Sequence, residues 1–498
     1  MELTKHSSSS PPNPKGNIMG TTSVLVIGAV LLYGVAMFAL ARRTRSRQTN
    51  DSYHVADRNV SGVIGALSVA STWVWAPALL VSATQGFNNG WVGVAWFIVP
   101  NALALVLMLP FAMFIRKRYA KGFTLSGLMR RTYGRPTQYL YVFTLGGLAM
   151  LSVSVNLLAG GTVLSILTGL PLIVSASGML LLVLAYTYKF GVKASLSTDS
   201  FQVLLIILLL LALVPGVLNI TGWDVISQGI QGVNEVQNFF GADGIHVALS
   251  FGIISAIGLA AGPVGDQAFW QRAFAMRPGQ VVSAFGGGAL IFTLVPILMS
   301  ILGFTAAGIG FEPKDPGYVN LELVQSIMPA WVAVPFMLLL VSALFSIVNS
   351  HMLAQASLLS DFTGSIKVQR RWMAVLAVVA LGIALIPGNA VSTMFLIYST
   401  LRSSTFLITL TTLSGVRWNA TGVEVGISLG LIVGMPMAIY GNVISGEWQV
   451  RLIAILVTTI IPILTAMLFS AIRPAREDRE PEYRSAAEIL EERLSHAK

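Results

Sequence analysis

Apolar residues run along this chain in blocks of about twenty, divided by short polar stretches. A bilayer core about 30 Å thick takes roughly 20 apolar residues of helix, so each block predicts a membrane-spanning helix. The blocks fall at about 21–41, 60–83, 91–115, 139–167, 170–188, 200–220, 247–265, 281–306, 330–357, 372–386, 391–413, 423–443 and 452–472. The pattern predicts an all-α polytopic membrane protein of about thirteen helices. Residues 1–20, with "SSSSPPNP", read as a disordered tail, 21–472 as the transmembrane domain and 473–498 as a second tail, where "SAAEILEERLSHAK" suits a short amphipathic helix.

Composition agrees: of 498 residues 55% are hydrophobic and only 10% charged. The net charge of +10 resides in short loops: "RRTRSR", "RKRYAKGFTLSGLMRR", the turn with Lys189 and Lys193, "WQRAFAMR", "KVQRR" and Arg417. Alternating spans put all of these on one side, which the positive-inside rule makes cytoplasmic, with the N-terminus outside and the C-terminus inside. That distribution is topogenic and argues against nucleic acid as a partner; no obligate protein partner is evident. There is no cysteine, and no P-loop, the pair Gly-Lys never occurring. Nothing at membrane depth resembles a nucleophile–base–acid set or a metal-ligand cluster, so the chain is not expected to be an enzyme or to carry a cofactor.

Two blocks are interrupted. The second contains "STWVWAP", where Ser71, Thr72, Trp73 and Trp75 around a proline are the residues expected to bind a small solute, and the seventh contains "GLAAGPVG". Broken backbone at membrane depth survives where it is buried in protein or lines a cavity, because lipid satisfies no freed N–H or C=O group. An ordinary proline kink with interfacial tryptophans is the simpler reading of the first break. An odd number of spans repeated in tandem is inverted, and spans two to six and seven to eleven, about 60–220 and 247–413, form such a pair around a midplane site.

Several motifs together resemble the sodium:solute symporter family. "YTYKFGVKASLSTDSFQ" matches its pattern with Gly191, Lys193, Ala194, Thr198, Asp199 and Gln202, "GDQAFWQRAFAMRP" resembles its Asp-Gln, Trp-Gln and Arg-Pro loop, and "ASLLSDF", with Asp361, resembles the close of its ninth span. "WVWAPALL" is most similar to the urea-transporting branch. The resemblance implies inverted repeats of the LeuT type and a secondary symporter of a small polar solute, urea or a urea-like compound, driven by Na⁺ or H⁺ across what is expected to be the plasma (inner) membrane of a bacterium. A small anionic solute, a channel and a transporter-like sensor are the alternatives.

The resemblance also implies a sodium site made of the carbonyls of Ala70 and Trp73 and an adjacent pair of hydroxyls on the ninth span. That span has no such pair: Ser342 or Ser346 is the hydroxyl partner, and its neighbour, such as Ala343, is apolar. The expected site is degraded. His351, the one histidine inside a span, is the alternative proton-coupling candidate, with a structural hydrogen bond as its simpler role. Arg402 lies in the eleventh span, where a charge costs roughly 2.5 to 3.5 kcal/mol and so faces a cavity, binds the solute, stands in for an ion, or ties helices together through carbonyls. Asp199 and Asp266, at inner span ends, are expected to pair with a nearby Lys or Arg, with proton relay as the alternative.

Overall fold

The computed structural model describes residues 15–474, apart from Pro387 and Asn389. The tail 475–498, including its expected helix, lies outside the described residues. The chain is all helical: α1 (Lys15–Arg43), α2 (Asn50–Val55), α3 (Gly62–Trp73), α4 (Ala76–Arg118), α5 (Leu125–Tyr133), α6 (Arg135–Thr168), α7 (Leu172–Phe190), α8 (Val192–Thr221), α9 (Val225–Gly229) and α10 (Ala242–Val247). There follow α11 (Ile253–Ala260), α12 (Gln267–Ala275), α13 (Val281–Gly308), α14 (Val319–Ile327), α15 (Ala333–Leu359), α16 (Ile366–Ala384), α17 (Val391–Ser403), α18 (Phe406–Leu413), α19 (Ala420–Ile439) and α20 (Trp448–Ile472). α1 thus begins inside the segment expected to be a tail.

Among the described residues, ten helical segments are long and apolar enough to cross a bilayer. The protein is an integral membrane protein. Ten is fewer than the thirteen blocks for physical reasons. α4 holds the end of the second block and all of the third, kinked at Gly90, whose backbone (φ 57°, ψ −150°) is one that glycine alone adopts readily. α3, α17 and α18 are short pieces of broken spans.

α15 is the axis of the bundle, buried almost from Phe336 to Leu358. Around it pack α6, α8 and α1, while α13 lies along α3 and α4. The "FGGGAL" run allows that last approach: a Cβ on Gly288 would stand 2.7 Å from Val69 Cγ1, too close for any larger residue. Outside the spans, Asp361 at the end of α15 accepts from Thr124 (2.8 Å) and Ser126 (2.6 Å), fastening α5 to the axis.

Candidate functional site

Three helix breaks meet beside α15. In the first, α3 ends at Trp73, Val74 and Trp75 are extended, and Pro77 opens α4. The freed amide of Ala76 donates to Asn156 Oδ1 of α6 at 3.0 Å. Protein thus supplies the hydrogen bond that lipid could not, which is what irregular backbone at this depth requires. In the second, α11 ends at Ala260 and Asp266 caps α12, its Oδ1 accepting from Ala268 N at 2.8 Å. The third has no counterpart among the expected breaks: α17 stops at Ser403, where the hydroxyls of Ser403 and Ser404 donate to the carbonyls of Thr400 and Leu401, both at 2.8 Å. The run "RSSTF" carries that signal, since such hydroxyls compete with the helix for its own carbonyls. Arg402 therefore sits at a helix end rather than within an unbroken span.

The breaks touch. A Cβ on Gly262 would collide with the Trp73 ring and approach Arg402 Nη1 to 3.0 Å, so only glycine lets the second break lie against the other two. A parallel bridge between Val60 and Met276, with N–H···O bonds of 3.1 and 3.0 Å, joins the start of α3 to the end of α12.

At the junction the rings of Trp73 and Trp75 stack, centroids 6.2 Å apart and planes 21° from parallel. The Arg402 guanidinium lies 5.7 Å from each tryptophan ring and 4.8 Å from that of Tyr398, in cation–π contact. Arg402 is fully buried, with a long hydrogen bond from Nη2 to Ser399 Oγ, 3.4 Å, and the Tyr398 side chain interacting with its guanidinium. Among the described residues its Nε and Nη1 have no hydrogen-bond partner, nor does Trp75 Nε1. Buried donors without acceptors are rare and costly. No carbonyl among the described residues ties Arg402 in place. Asn101, which no sequence motif singles out, adds the opposite function: its backbone carbonyl accepts from Trp73 Nε1 at 3.1 Å and its buried Oδ1 is unpartnered among the described residues.

Of the five residues expected to bind solute, the structure brings together Trp73, Trp75 and Arg402. Ser71 and Thr72 are turned elsewhere. The Ser71 hydroxyl donates to Ser346 Oγ at 2.7 Å, and Thr72 Oγ1 donates to the Ser68 carbonyl at 2.7 Å, inside its own helix.

The expected sodium ligands lie next to a buried ion pair. Asp199 Oδ2 accepts from Arg272 Nη2 at 2.9 Å and from Ser68 at 2.7 Å, while its Oδ1 accepts from Ser346 at 2.9 Å. Arg272 also donates to Ser68 (3.0 Å) and Ser350 (2.6 Å). Ser346 is thus engaged on both sides, Ser342 donates back to Leu338 O at 2.6 Å, and Ala343 offers no side-chain oxygen. The donor set fits a sodium ion poorly, and a guanidinium already balances the carboxylate. The expected Lys or Arg pairing of Asp199 is met by Arg272. Asp266 departs from it: His351 Nε2 lies 2.7 Å from its Oδ2, and the Tyr398 hydroxyl donates to the same oxygen at 3.2 Å.

Known proteins share both the sequence pattern and the architecture. The urea active transporter of Saccharomyces cerevisiae (strain S288c) is 26% identical over 323 residues, 62% of this chain and 44% of its own length. The urea-proton symporter of Oryza sativa subsp. japonica is 24% identical over 366 residues, 67% of this chain and 50% of its own. The chain therefore spans about half the length of these relatives. The solved structure of a Na⁺-coupled sialic acid symporter, substrate-bound and outward-open, superposes with a TM-score of 0.69 at 16% identity, covering 91% of this chain and 98% of that one. That likeness establishes the fold alone, which is of the LeuT type. The sequence profile of the sodium:solute symporter family matches residues 53–434, which takes in the broken helices, the Asp199–Arg272 pair, α15 and Arg402, and the chain belongs to that family.

Proposed function

We propose that the chain is a secondary active symporter that carries a small planar polar solute of the urea type through alternating access, driven by a cation gradient. The observation that carries this reading is the set of unpartnered buried donors, Arg402 Nε and Nη1 and Trp75 Nε1, beside the stacked tryptophans at the meeting of three helix breaks. A solute carbonyl would accept from these donors, its plane would lie against an indole face, and its own N–H groups would find Asn101 Oδ1. The urea transport named for the relatives points to the same chemistry.

In this reading the chain crosses the membrane thirteen times, N-terminus outside, with inverted repeats over about 60–220 and 247–413. The two breaks that meet at Gly262 belong one to each repeat. The coupling cation is the proton, supported by the engaged state of Ser342 and Ser346 and by the contact of His351 with a buried carboxylate. Ala70, Ser342 and Ala343 then serve packing, Ser346 serves Asp199 and Trp73 the solute site, and none of them serves sodium. The membrane is the bacterial plasma membrane.

One observation favours a second solute class. Arg402 keeps a positive charge with no carboxylate on it among the described residues, which suits a small carboxylate. The experiment is uptake of labelled urea and labelled acetate into proteoliposomes under an imposed pH gradient, an imposed Na⁺ gradient, or neither. Saturable urea uptake driven uphill by the pH gradient and abolished by an uncoupler is expected. Uptake of acetate alone would replace the solute, strong stimulation by Na⁺ alone would replace the cation, and passive flux would replace the mechanism.

A further inference from the structure

We infer that Asp266 and His351 together hold the proton that transport moves, and that Tyr398 links its presence to Arg402 in the solute site. The inference rests on the symport reading for its purpose, but its core is a hydrogen count.

Both ring nitrogens of His351 face oxygen acceptors: Nδ1 is 2.9 Å from the carbonyl of Ile347, and Nε2 is 2.7 Å from Asp266 Oδ2. A carbonyl oxygen only accepts, and an ionised carboxylate only accepts. A neutral imidazole carries one hydrogen, so beside a carboxylate it satisfies one of these contacts and presents a bare lone pair to the other. Two arrangements satisfy both. Either the ring is an imidazolium beside a carboxylate, or a neutral ring with its hydrogen on Nδ1 accepts from a carboxylic acid. Each holds one proton more than neutral imidazole plus carboxylate. The geometry is that of a loaded site.

The surroundings make that proton consequential. His351 is 2% exposed and Asp266 1%, so water does not compete for the contact. Asp266 closes the break between α11 and α12, its Oδ1 being committed to Ala268 N, while His351 belongs to the axial α15. Tyr398 donates to the same Oδ2 at 3.2 Å, and the Arg402 guanidinium lies over the Tyr398 ring at 4.8 Å. The other charges near this part of α15 are Arg272 and Asp199, which reach it through Ser350 and Ser346 and neutralise each other.

When the proton leaves for water, neutral imidazole and carboxylate remain and the site's net charge falls by one. The ring must then release either Ile347 or Asp266. Asp266 is then a carboxylate without a cationic partner, facing Tyr398 and, beyond it, the buried Arg402 guanidinium. A solute acceptor on Arg402 and the Asp266 charge therefore draw on the same guanidinium, and occupancy by one alters the other.

The test uses the full chain in lipid nanodiscs with ¹⁵N-labelled histidine. The chain has five histidines, and His351→Gln identifies the signal of the ring in question. At neutral pH the extra proton is expected on whichever partner holds it, as a second ring N–H or as a protonated-carboxyl infrared band that Asp266→Asn removes. Arg402→Gln and Tyr398→Phe should retain the proton and shift the pH at which it leaves. Asp266→Glu, which keeps the acid, serves where Asp266→Asn does not fold. A singly protonated ring with no carboxyl band at neutral pH overturns the inference. A departure pH unmoved by both Arg402→Gln and Tyr398→Phe overturns the link to the solute site. Absence of urea uptake with the loaded spectrum intact counts against the solute reading instead, and pH-driven urea uptake that survives His351→Gln counts against this proton site alone.

Discussion

Removing either member of the Asp199–Arg272 pair should destabilise the protein far more than removing both. The two groups are 0% and 2% exposed and 2.9 Å apart, so neither is stable there without the other. Truncating one partner of a buried pair costs about 3–5 kcal/mol, because an uncompensated charge is left behind. Asp199→Leu and Arg272→Met are each expected at that level. In the double variant no charge remains, and the desolvation once borne by both groups disappears. What is lost instead is the bonding of four serine hydroxyls, those of Ser68, Ser346 and Ser350 and, through a long 3.4 Å contact, Ser195. At about 1 kcal/mol each, the double variant should cost roughly 2–4 kcal/mol. The singles sum to about 6–10 kcal/mol, which leaves a coupling of roughly 4–6 kcal/mol. Urea-independent unfolding of the purified protein, for example by a graded anionic detergent, gives all four corners of the cycle under one set of conditions. Additive singles would refute the reasoning, showing that the pair is weakly coupled or that water reaches it.

Three further outcomes follow from other sites. Trp75→Ala should weaken binding of labelled urea by roughly 1–3 kcal/mol, about 5- to 150-fold, without loss of folding, as the loss of a buried aromatic face implies; unchanged affinity would remove Trp75 from the solute site. Arg402→Gly should abolish urea uptake into proteoliposomes while the protein still inserts, and normal uptake would show that the unpartnered guanidinium has no part in transport. His54 in α2, outside the spans, is buried against Gln369 Oε1 at 2.8 Å, and burial pushes its pKa down from 6.5 to about 4. The unfolded chain then binds a proton that the folded chain refuses, so stability is full above about pH 6.5 and is lost as pH falls towards 4, by about 3 kcal/mol. His54→Gln should flatten that window, measured as the unfolding midpoint against pH.

Much of this arrangement is legible in the sequence, and the part that is not has a common cause. The apolar blocks give the spans because lipid demands length and little else. The breaks at Trp75 and Gly262 are readable because proline and glycine are local statements about backbone. An inward Arg402 follows from the cost of a charge in lipid. Which side chains meet is another matter. Asp266 and His351 are 85 residues apart, and Asp199 and Ser346 are 147 apart; their contacts depend on the rotation of one buried helix against another. In a helix apolar on most sides, composition does not encode that rotation. Ser71 illustrates the point: it lies in the predicted break, two residues from Trp73, yet faces α15 rather than the tryptophans.

The Asp199–Arg272 pair also bears on how the protein is made. Asp199 is synthesised 73 residues before its partner, and the helices are delivered to the membrane in that order. During that interval α8 carries the acid without the Arg272 guanidinium that balances it in the finished fold. Asp199 stands seven residues, about 10 Å, from the start of that helix. Ser68 of α3 precedes it in the chain, whereas Arg272 of α12 and Ser346 of α15 follow it. Until Arg272 is made, nothing in the chain reproduces the guanidinium contact that balances Asp199 in the finished fold, so this buried site is completed from its C-terminal side.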